Sequence, residues 1–194
     1  MTNLKILCFL LGFVACTADG ETIDDVFDAV RKNDIEKITS ILNENRDTLA
    51  SFINIRDKSS GQTPLMMSVL MGKVDIVKLL LAEDAVDVTV PEKDGYTPFH
   101  GAGFQGRAEI AKLLLQDKRK IDPNKKHKDG FTPMHRACWG QEKRHTDTVA
   151  MFIEVGHVPW DQKTSQGKTC MDITHNSGTK KWLKKWSAKS KDDL

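Results

Sequence analysis

The 194-residue chain lacks the features that mark several large classes of protein. Its formal net charge is only +2, which argues against a polyanion-binding or nucleic-acid-binding protein. Hydrophobic residues make up 39% of the chain, too many for a disordered one. The apolar run at residues 6–15 is ten residues long, whereas a membrane-spanning helix needs about 20. We therefore expect one globular domain without a retained membrane anchor.

Residue patterns that support catalysis or metal binding are also missing. The chain has no nucleophile motif, no paired carboxylate cluster and no glycine-rich phosphate loop, and no histidine has the i, i+4 partner of a helical metal site. The four cysteines do not stand in metal-ligand spacing. These absences predict a protein that is not an enzyme and holds no cofactor or metal.

Aromatic residues are scarce, with eight Phe, four Trp and one Tyr, so leucine must supply most of the interior. What the chain does have is a repeat. The sequences GQTPLM, GYTPFH and GFTPMH begin at Gly61, Gly95 and Gly130, and an eroded copy, GKTCMD, begins at Gly167. The intervals are 34, 35 and 37 residues, and a period in this range indicates a solenoid of repeated supersecondary units.

Each residue of the motif predicts a local structure. The glycine suits a tight turn, the threonine can cap a helix, and the proline fits the first helical position, where a missing N–H costs nothing. A second helix is predicted at Val74–Leu81 and at Ala108–Leu115, where apolar residues recur at i, i+3, i+4 and i+7. Each unit should therefore read turn, helix, turn, helix.

These motifs resemble the ankyrin repeat, and Gly95–Leu115 matches that pattern at nearly every position. The resemblance implies an all-α solenoid of stacked helix pairs with projecting β-hairpin turns. It divides the domain at 19–187 into an N-terminal cap repeat (22–60), three repeats (61–94, 95–129 and 130–166) and a C-terminal cap repeat (167–187). In the cap, Phe27–Leu42 should form two amphipathic helices broken near Asn33.

Departures from the family pattern lead to two further predictions. The histidine that closes the motif in this family is present as His100 and His135 but is replaced by Met66 and Asp172, so bracing between neighbouring turns should be weaker at both ends. The spacing in the third repeat places a three-residue insertion at Gly140–His145, between its two helices.

The N-terminus has the three-part plan of a secretory signal peptide at residues 1–18, with cleavage after Ala18 preferred and Gly20 as the next choice. The alternatives are a buried N-terminal helix and a bacterial lipoprotein modified at Cys16. The tail at 188–194 ends in Lys-Asp-Asp-Leu, which resembles the K-D-E-L address for retrieval to the endoplasmic reticulum. We expect the protein to reside in the lumen of the endoplasmic reticulum, or to be secreted if the tail does not act as a retrieval signal.

Cys138 and Cys170 would remain in the mature chain. Two buried thiols are the preferred interpretation, and a disulfide between them in an oxidising lumen is the alternative.

The resemblance implies a concave surface to which the turns and first helices contribute. It would carry the aromatic residues Tyr96, Phe104, Phe131 and Trp139, with a polar, mostly basic rim of Lys93, Gln105, Lys128 and Arg136. Aromatic anchors inside a basic rim suit an acidic protein partner. The alternative for Tyr96 and Phe131 is that each ring packs over its own turn.

The preferred function is a non-enzymatic, monomeric scaffold of the secretory pathway that binds a protein partner; a secreted effector or toxin is a variant of it. A second hypothesis is a peripheral membrane protein that uses the segment Lys180–Trp186, where Trp182 and Trp186 share one helical face among lysines. The competing interpretation of that segment is a capping helix that buries both tryptophans.

Overall fold

A computed structural model describes residues 23–192, and every regular element among them is helical. The chain divides into two compact units, Met1–Lys93 and Asp94–Leu194, called here the N-terminal and C-terminal units. The segment expected to be a signal peptide lies outside the described residues. Within the described part, no helix combines the length and the apolar character needed to cross a bilayer.

From residue 23 onward, the N-terminal unit holds five α-helices and one 3-10 helix, Arg46–Thr48. The helices are α1 (Ile23–Lys32), α2 (Ile35–Glu44), α3 (Leu49–Phe52), α4 (Pro64–Met71) and α5 (Val74–Ala82). Helix α1 packs against α2 and α4, and α5 packs against α2 and α4. The predicted break between the first two helices is confirmed: Asn33 adopts a left-handed backbone, and the Asp34 side chain caps α2 by accepting the Lys37 N–H at 2.9 Å.

The C-terminal unit repeats this arrangement with longer stacks. Its helices are α6 (Pro98–Phe104), α7 (Ala108–Leu115), α8 (Pro133–Trp139), α9 (Lys143–Glu154), α10 (Cys170–Ile173) and α11 (Ser177–Asp192). The first helices α6, α8 and α10 pack in sequence, and the second helices α7, α9 and α11 do the same. Phe99 and Phe152 pack edge to face in the core between the first helices and the second helices, with their ring centroids 5.3 Å apart. The prediction of an all-α repeat fold is confirmed.

The helix starts follow the motif as predicted. Pro64, Pro98 and Pro133 each occupy the first turn of their helix, after an extended threonine. Thr63 accepts the Met66 N–H, and Thr132 accepts the His135 N–H. The motif glycines all have positive φ, from 67° at Gly61 to 97° at Gly95, a conformation that favours glycine.

The expected insertion between the helices of the third repeat is wrong. Three residues, Gly140–Glu142, join α8 to α9, and three residues, Gln105–Arg107, join α6 to α7. The additional residues instead lengthen α9, which has 12 residues where α7 has eight. They join the helix because His145 is buried in line with Thr148, Val149 and Phe152, so the buried face extends into the added first turn.

The preference for two free thiols is also wrong. Cys138, in α8, and Cys170, the first residue of α10, form a disulfide with their Cα atoms 5.6 Å apart. Both side chains are fully buried where α8 packs against α10. Sequence separates them by 32 residues, and only the stacking of consecutive first helices brings them together.

Candidate functional site

The two most exposed aromatic side chains identified from sequence occupy equivalent positions in the C-terminal unit. Phe104 is 52% exposed and Trp139 is 41% exposed. Each ends the first helix of its repeat, nine residues after the motif glycine. Because α6 and α8 pack side by side, the repeat places these two rings at the same level of adjacent helices.

Arg136 lies at the centre of the aromatic cluster beside Trp139. Its guanidinium carbon stands 4.5 Å from the Trp139 ring centroid, 4.7 Å from that of Tyr96 and 5.0 Å from that of Phe131. These distances are those of cation–π contacts. The prediction that Arg136 belongs to an exposed basic rim is therefore wrong: the residue is 4% exposed, because three rings cover it.

Polar contacts hold this arginine in place. One terminal nitrogen of Arg136 donates to the Tyr96 hydroxyl at 2.9 Å and is ion-paired with Asp129. Burial opposes ionisation of Asp129, but hydrogen bonds from His127, from the Phe131 N–H and from Arg136 hold its pKa at about 2. Burial also raises the pKa of Tyr96. The cluster therefore contains a charged pair and a neutral phenol at physiological pH.

His127 completes the support on the other side of Tyr96. Its ring stacks on the phenol with centroids 4.0 Å apart, and its Nε2 lies 2.9 Å from the Asp94 carbonyl oxygen. His127 belongs to the turn of the next repeat, so Tyr96 packs against that turn and not only over its own. The ring centroids of Phe131 and Trp139 lie 4.8 Å apart, so the Phe131 ring supports the exposed indole.

The other residues predicted from sequence differ in their placement. Gln105 follows Phe104 and is half-buried, and Lys128 is exposed in the turn before Asp129. Lys93 is exposed at the end of the N-terminal unit. No ring contact among the described residues joins Phe104 to the Arg136 cluster; its carbonyl accepts from His145 Nε2 at 3.2 Å. The structure thus gathers Tyr96, Phe131, Arg136 and Trp139 into one group.

Sequence reasoning missed the supporting roles of His127 and Asp129. Asp129 pairs with a residue seven positions later, and His127 stacks on a ring 31 positions earlier. These contacts arise only when consecutive turns fold against each other and against α8. The one local signal is the Asp129-Gly130 turn, which places a carboxylate next to the motif.

The motif histidines have structural partners. His135 Nδ1 lies 2.7 Å from Thr132 Oγ1, and its Nε2 lies 3.0 Å from the Gln162 carbonyl oxygen, so it braces the following turn. Burial lowers the pKa of His135 and lowers that of His100 to about 4, which keeps both rings neutral. Between residues 23 and 192, no three His, Cys, Asp or Glu side chains are grouped as metal ligands would be.

The tryptophans near the C-terminus contact each other rather than the Arg136 cluster. Trp182 and Trp186 stack on α11 with centroids 5.3 Å apart, and both are half-buried. Leu183 between them is fully buried, and Thr179 bonds to Thr146 of α9 at 2.8 Å. Helix α11 thus covers the end of the unit, as the capping interpretation expects, but it leaves part of each indole accessible.

Comparison with known proteins identifies the repeat. A family model described as Ankyrin repeats (3 copies) matches residues 26–127, slightly more than half of the chain. The human Notch-regulated ankyrin repeat-containing protein is 33% identical over 88 residues, which are 45% of this chain and 75% of that protein.

Larger relatives match over shorter stretches of the chain. The mouse 2-5A-dependent ribonuclease is 39% identical over 77 residues, 40% of this chain and 10% of that protein. Alpha-latrocrustotoxin-Lt1a of Latrodectus tredecimguttatus is 34% identical over 59 residues, 30% of this chain and 4% of the toxin. The similarity to these two proteins therefore covers a tenth or less of their own length.

Proposed function

We propose a function that starts from family membership: this chain belongs to the ankyrin repeat family. Ankyrin repeats are generally protein–protein interaction modules without catalytic activity, although the 2-5A-dependent ribonuclease shows that they also occur in enzymes. The function proposed for this chain is capture of a protein partner on the aromatic surface, defined as Tyr96, Phe104, Phe131, Arg136 and Trp139.

The observation that carries the proposal is the exposure of Phe104 and Trp139 in the same register of adjacent helices. Interfaces use such large aromatic side chains as anchors, and exposed apolar patches with a polar rim mark interaction sites. The Trp139 ring is already held in position by Phe131 and Arg136, so little side-chain entropy would be lost on binding.

The nearby charges support an acidic partner. Lys128 is exposed beside the aromatic surface, while the charge of Arg136 is neutralised within it by Asp129. The basic contribution of this surface therefore comes from exposed lysine rather than from Arg136. A carboxylate-bearing partner would meet that lysine at the rim and the two exposed rings at the centre.

The second part of the proposal places the protein in the secretory pathway, with residues 1–18 as a cleaved signal peptide and Lys191–Leu194 as a retrieval signal. The buried Cys138–Cys170 disulfide supports this, because disulfides form and persist in oxidising compartments. A chain resident in a reducing cytosol would not be expected to keep that bond.

One experiment tests the binding surface. The tagged chain, Phe104→Ala/Trp139→Ala and Val155→Ala are used to recover partners from a secretory-compartment extract. Val155 is the matched control, since it is an exposed apolar residue of the same unit outside the aromatic surface. We expect the double variant to lose the copurifying protein and the control to keep it, with unchanged melting of both. Unfolding of the double variant would instead assign the rings to the core.

A second experiment tests the compartment. An internal tag placed after Ala18 allows the chain to be followed with and without Lys191–Leu194. We expect lumenal retention of the intact chain and release into the medium when the tetrapeptide is deleted. A cytosolic signal from a chain with an uncleaved N-terminus would contradict the secretory assignment.

A further inference from the structure

A second surface of the C-terminal unit lies between α9 and α11 and shares no residue with the aromatic surface. It is an open groove of about 450 Å³, and its lining includes Lys143, Asp147, Lys181, Trp182 and Lys185. That volume lies within the range of protein ligand sites, about 300–1,000 Å³. We call it the α9–α11 groove.

One wall of the groove is apolar. Trp182 lines it, and Trp186, one helical turn away, stacks on Trp182 with an interplanar angle of 11°. The fully buried Leu183 and the bond between Thr146 and Thr179 hold α11 on α9. Stacking on Trp186 therefore restricts the orientation of the Trp182 indole, which suits an anchor site for a partner side chain.

The charges around the groove are mostly positive. Three lysines and one aspartate line it, and the aspartate is already neutralised, because Lys143 Nζ lies 2.7 and 2.8 Å from the two carboxylate oxygens of Asp147. Lys181 and Lys185 are exposed and lie one helical turn apart on α11. An anionic occupant would therefore find two positive charges beside an indole.

We propose that the α9–α11 groove docks an acidic peptide segment that packs an aromatic side chain against Trp182 and places carboxylates at Lys181 and Lys185. The groove is concave, and Trp182, which lines it, is half-buried. Both features favour an inserted peptide side chain over adsorption to a membrane, which needs an apolar face that projects from the protein. This site goes beyond the proposed function, since it uses a different surface.

The test uses a fluorescein-labelled peptide, DEDFEDE, titrated with the full chain and followed by anisotropy. Lys181→Glu/Lys185→Glu should weaken binding roughly tenfold or more, because both contacts change from attraction to repulsion. The matched control is Lys180→Glu/Lys184→Glu, which makes the same charge change at the same spacing on the same helix but outside the lining. We expect the control to weaken binding by no more than about threefold, because it reduces only the long-range electrostatic attraction and removes no direct contact.

Two further measurements separate the contacts. A peptide with serine in place of phenylalanine should bind roughly fivefold more weakly, since it lacks the ring that packs on Trp182. Lys181→Gln/Lys185→Gln, which removes charge without reversing it, replaces the glutamate variant if that variant melts early. Phe104→Ala/Trp139→Ala should bind the peptide normally, so failure of the aromatic surface would not count against the groove.

Several results would overturn the proposal. Equal losses in the two glutamate pairs would mean that α11 attracts anions through its overall charge and that the groove has no role. Binding to vesicles with 30% phosphatidylserine, lost in Lys181→Glu/Lys185→Glu without any binding of the peptide, would identify a membrane contact instead. Absence of peptide binding at millimolar concentration would also reject it.

Discussion

In the N-terminal unit the motif helix α4 buries Leu65, Met66 and Val69, whereas the corresponding helices of the C-terminal unit bury His100 and His135 next to their apolar residues. The helices begin in the same way, with an extended threonine and a proline. The residue three positions after the threonine differs: it is the apolar Met66 in α4 and a histidine in α6 and α8, and His135 braces the following turn through the Gln162 carbonyl.

The turns of the two units are also held by different contacts. In the N-terminal unit Asn54 bonds to the Ala85 carbonyl and the Asp87 N–H, and Arg56 reaches the carbonyls of Gly61 and Pro91. Hydrogen bonds, first from the Ser59 hydroxyl and then from Ser60, hold the pKa of Asp57 well below its usual range. The C-terminal unit adds ring stacking, a cation–π cluster and a disulfide.

This difference shows that one motif can be stabilised in two chemically distinct ways within one chain. Contacts to backbone groups respond little to mild acid or reductants, whereas buried histidines and a disulfide respond to both. The exposed Phe104 and Trp139 belong to the second unit, so the unit with the candidate binding surface is also the one whose stability depends on its environment.

The largest difference between the units should appear when the disulfide is removed. Cys138→Ala/Cys170→Ala should lower the free energy of unfolding of the C-terminal unit by about 2–5 kcal/mol, because the unfolded chain regains the freedom that the cross-link removed. Urea unfolding gives the size, and hydrogen exchange resolved by peptide gives the location. Equal loss of protection from hydrogen exchange in both units would contradict the prediction that the disulfide stabilises only the C-terminal unit.

Mild acid should produce the next largest effect. The pKa of His100 is about 4 in the folded protein and about 6.5 when unfolded, so the unfolded state binds more protons between these values. Its stabilising contribution is complete above pH 6.5 and is lost as the pH falls to about 4, a change of about 3 kcal/mol.

All six histidines lie after Lys93, so this acid effect should be confined to the C-terminal unit. Unfolding monitored by hydrogen exchange at pH 4, 5, 6 and 7 measures it, and His100→Asn should flatten the slope. A comparable loss of protection in the N-terminal unit over the same interval would argue against histidine as its source.

A glycine substitution tests how closely the first helices of the C-terminal unit approach. A Cβ atom at Gly103 would lie 2.1 Å from the Pro133 carbonyl oxygen, so Gly103→Ala should push α6 and α8 apart and cost about 1–3 kcal/mol. Gly167→Ala is the control, since its Cβ would meet no atom within 4 Å and only its positive φ of 76° is strained, at about 1 kcal/mol. Equal costs in urea unfolding would show that contact between the helices is not what excludes a side chain.

The smallest expected difference concerns the caps. Thr63 caps α4 through one backbone N–H, whereas Thr132 also contacts the His135 ring that braces the next turn. Thr63→Ala should cost about 1 kcal/mol and Thr132→Ala about 2 kcal/mol, the range observed for threonine caps. Thermal melts of both variants check this. A larger loss of stability in Thr63→Ala than in Thr132→Ala would contradict the prediction.

Much of the fold could be predicted because its signals are local. The Thr-Pro pairs place the starts of α4, α6 and α8, and the break near Asn33 separates α1 from α2. The repeat register also identified Phe104 and Trp139 as equivalent positions, and the structure places both on the surface. Turn glycines, caps and helical periodicity act within a few residues, so the sequence displays them directly.

The misplaced features depend on distant neighbours. The repeat pattern predicts Arg136 at the rim, but Tyr96, from the preceding repeat, covers it together with Phe131 and Trp139. The spacing predicts an insertion between the two helices of the third repeat, but α9 absorbs the extra residues because the next helix, α11, gives its extended length a surface to pack on. Neither neighbour is visible in the spacing of a single repeat.

The amino-acid sequence by itself determined the repeat, the helix starts and the family, since these depend on backbone conformations that Gly, Thr and Pro favour wherever they stand. Tertiary structure alone decided that Cys138 meets Cys170, that Arg136 is enclosed by rings and that Trp182 lines a groove. The physical reason is range. Disulfides, cation–π contacts and grooves require groups from different repeats to come within a few ångströms, and stacking sets those distances.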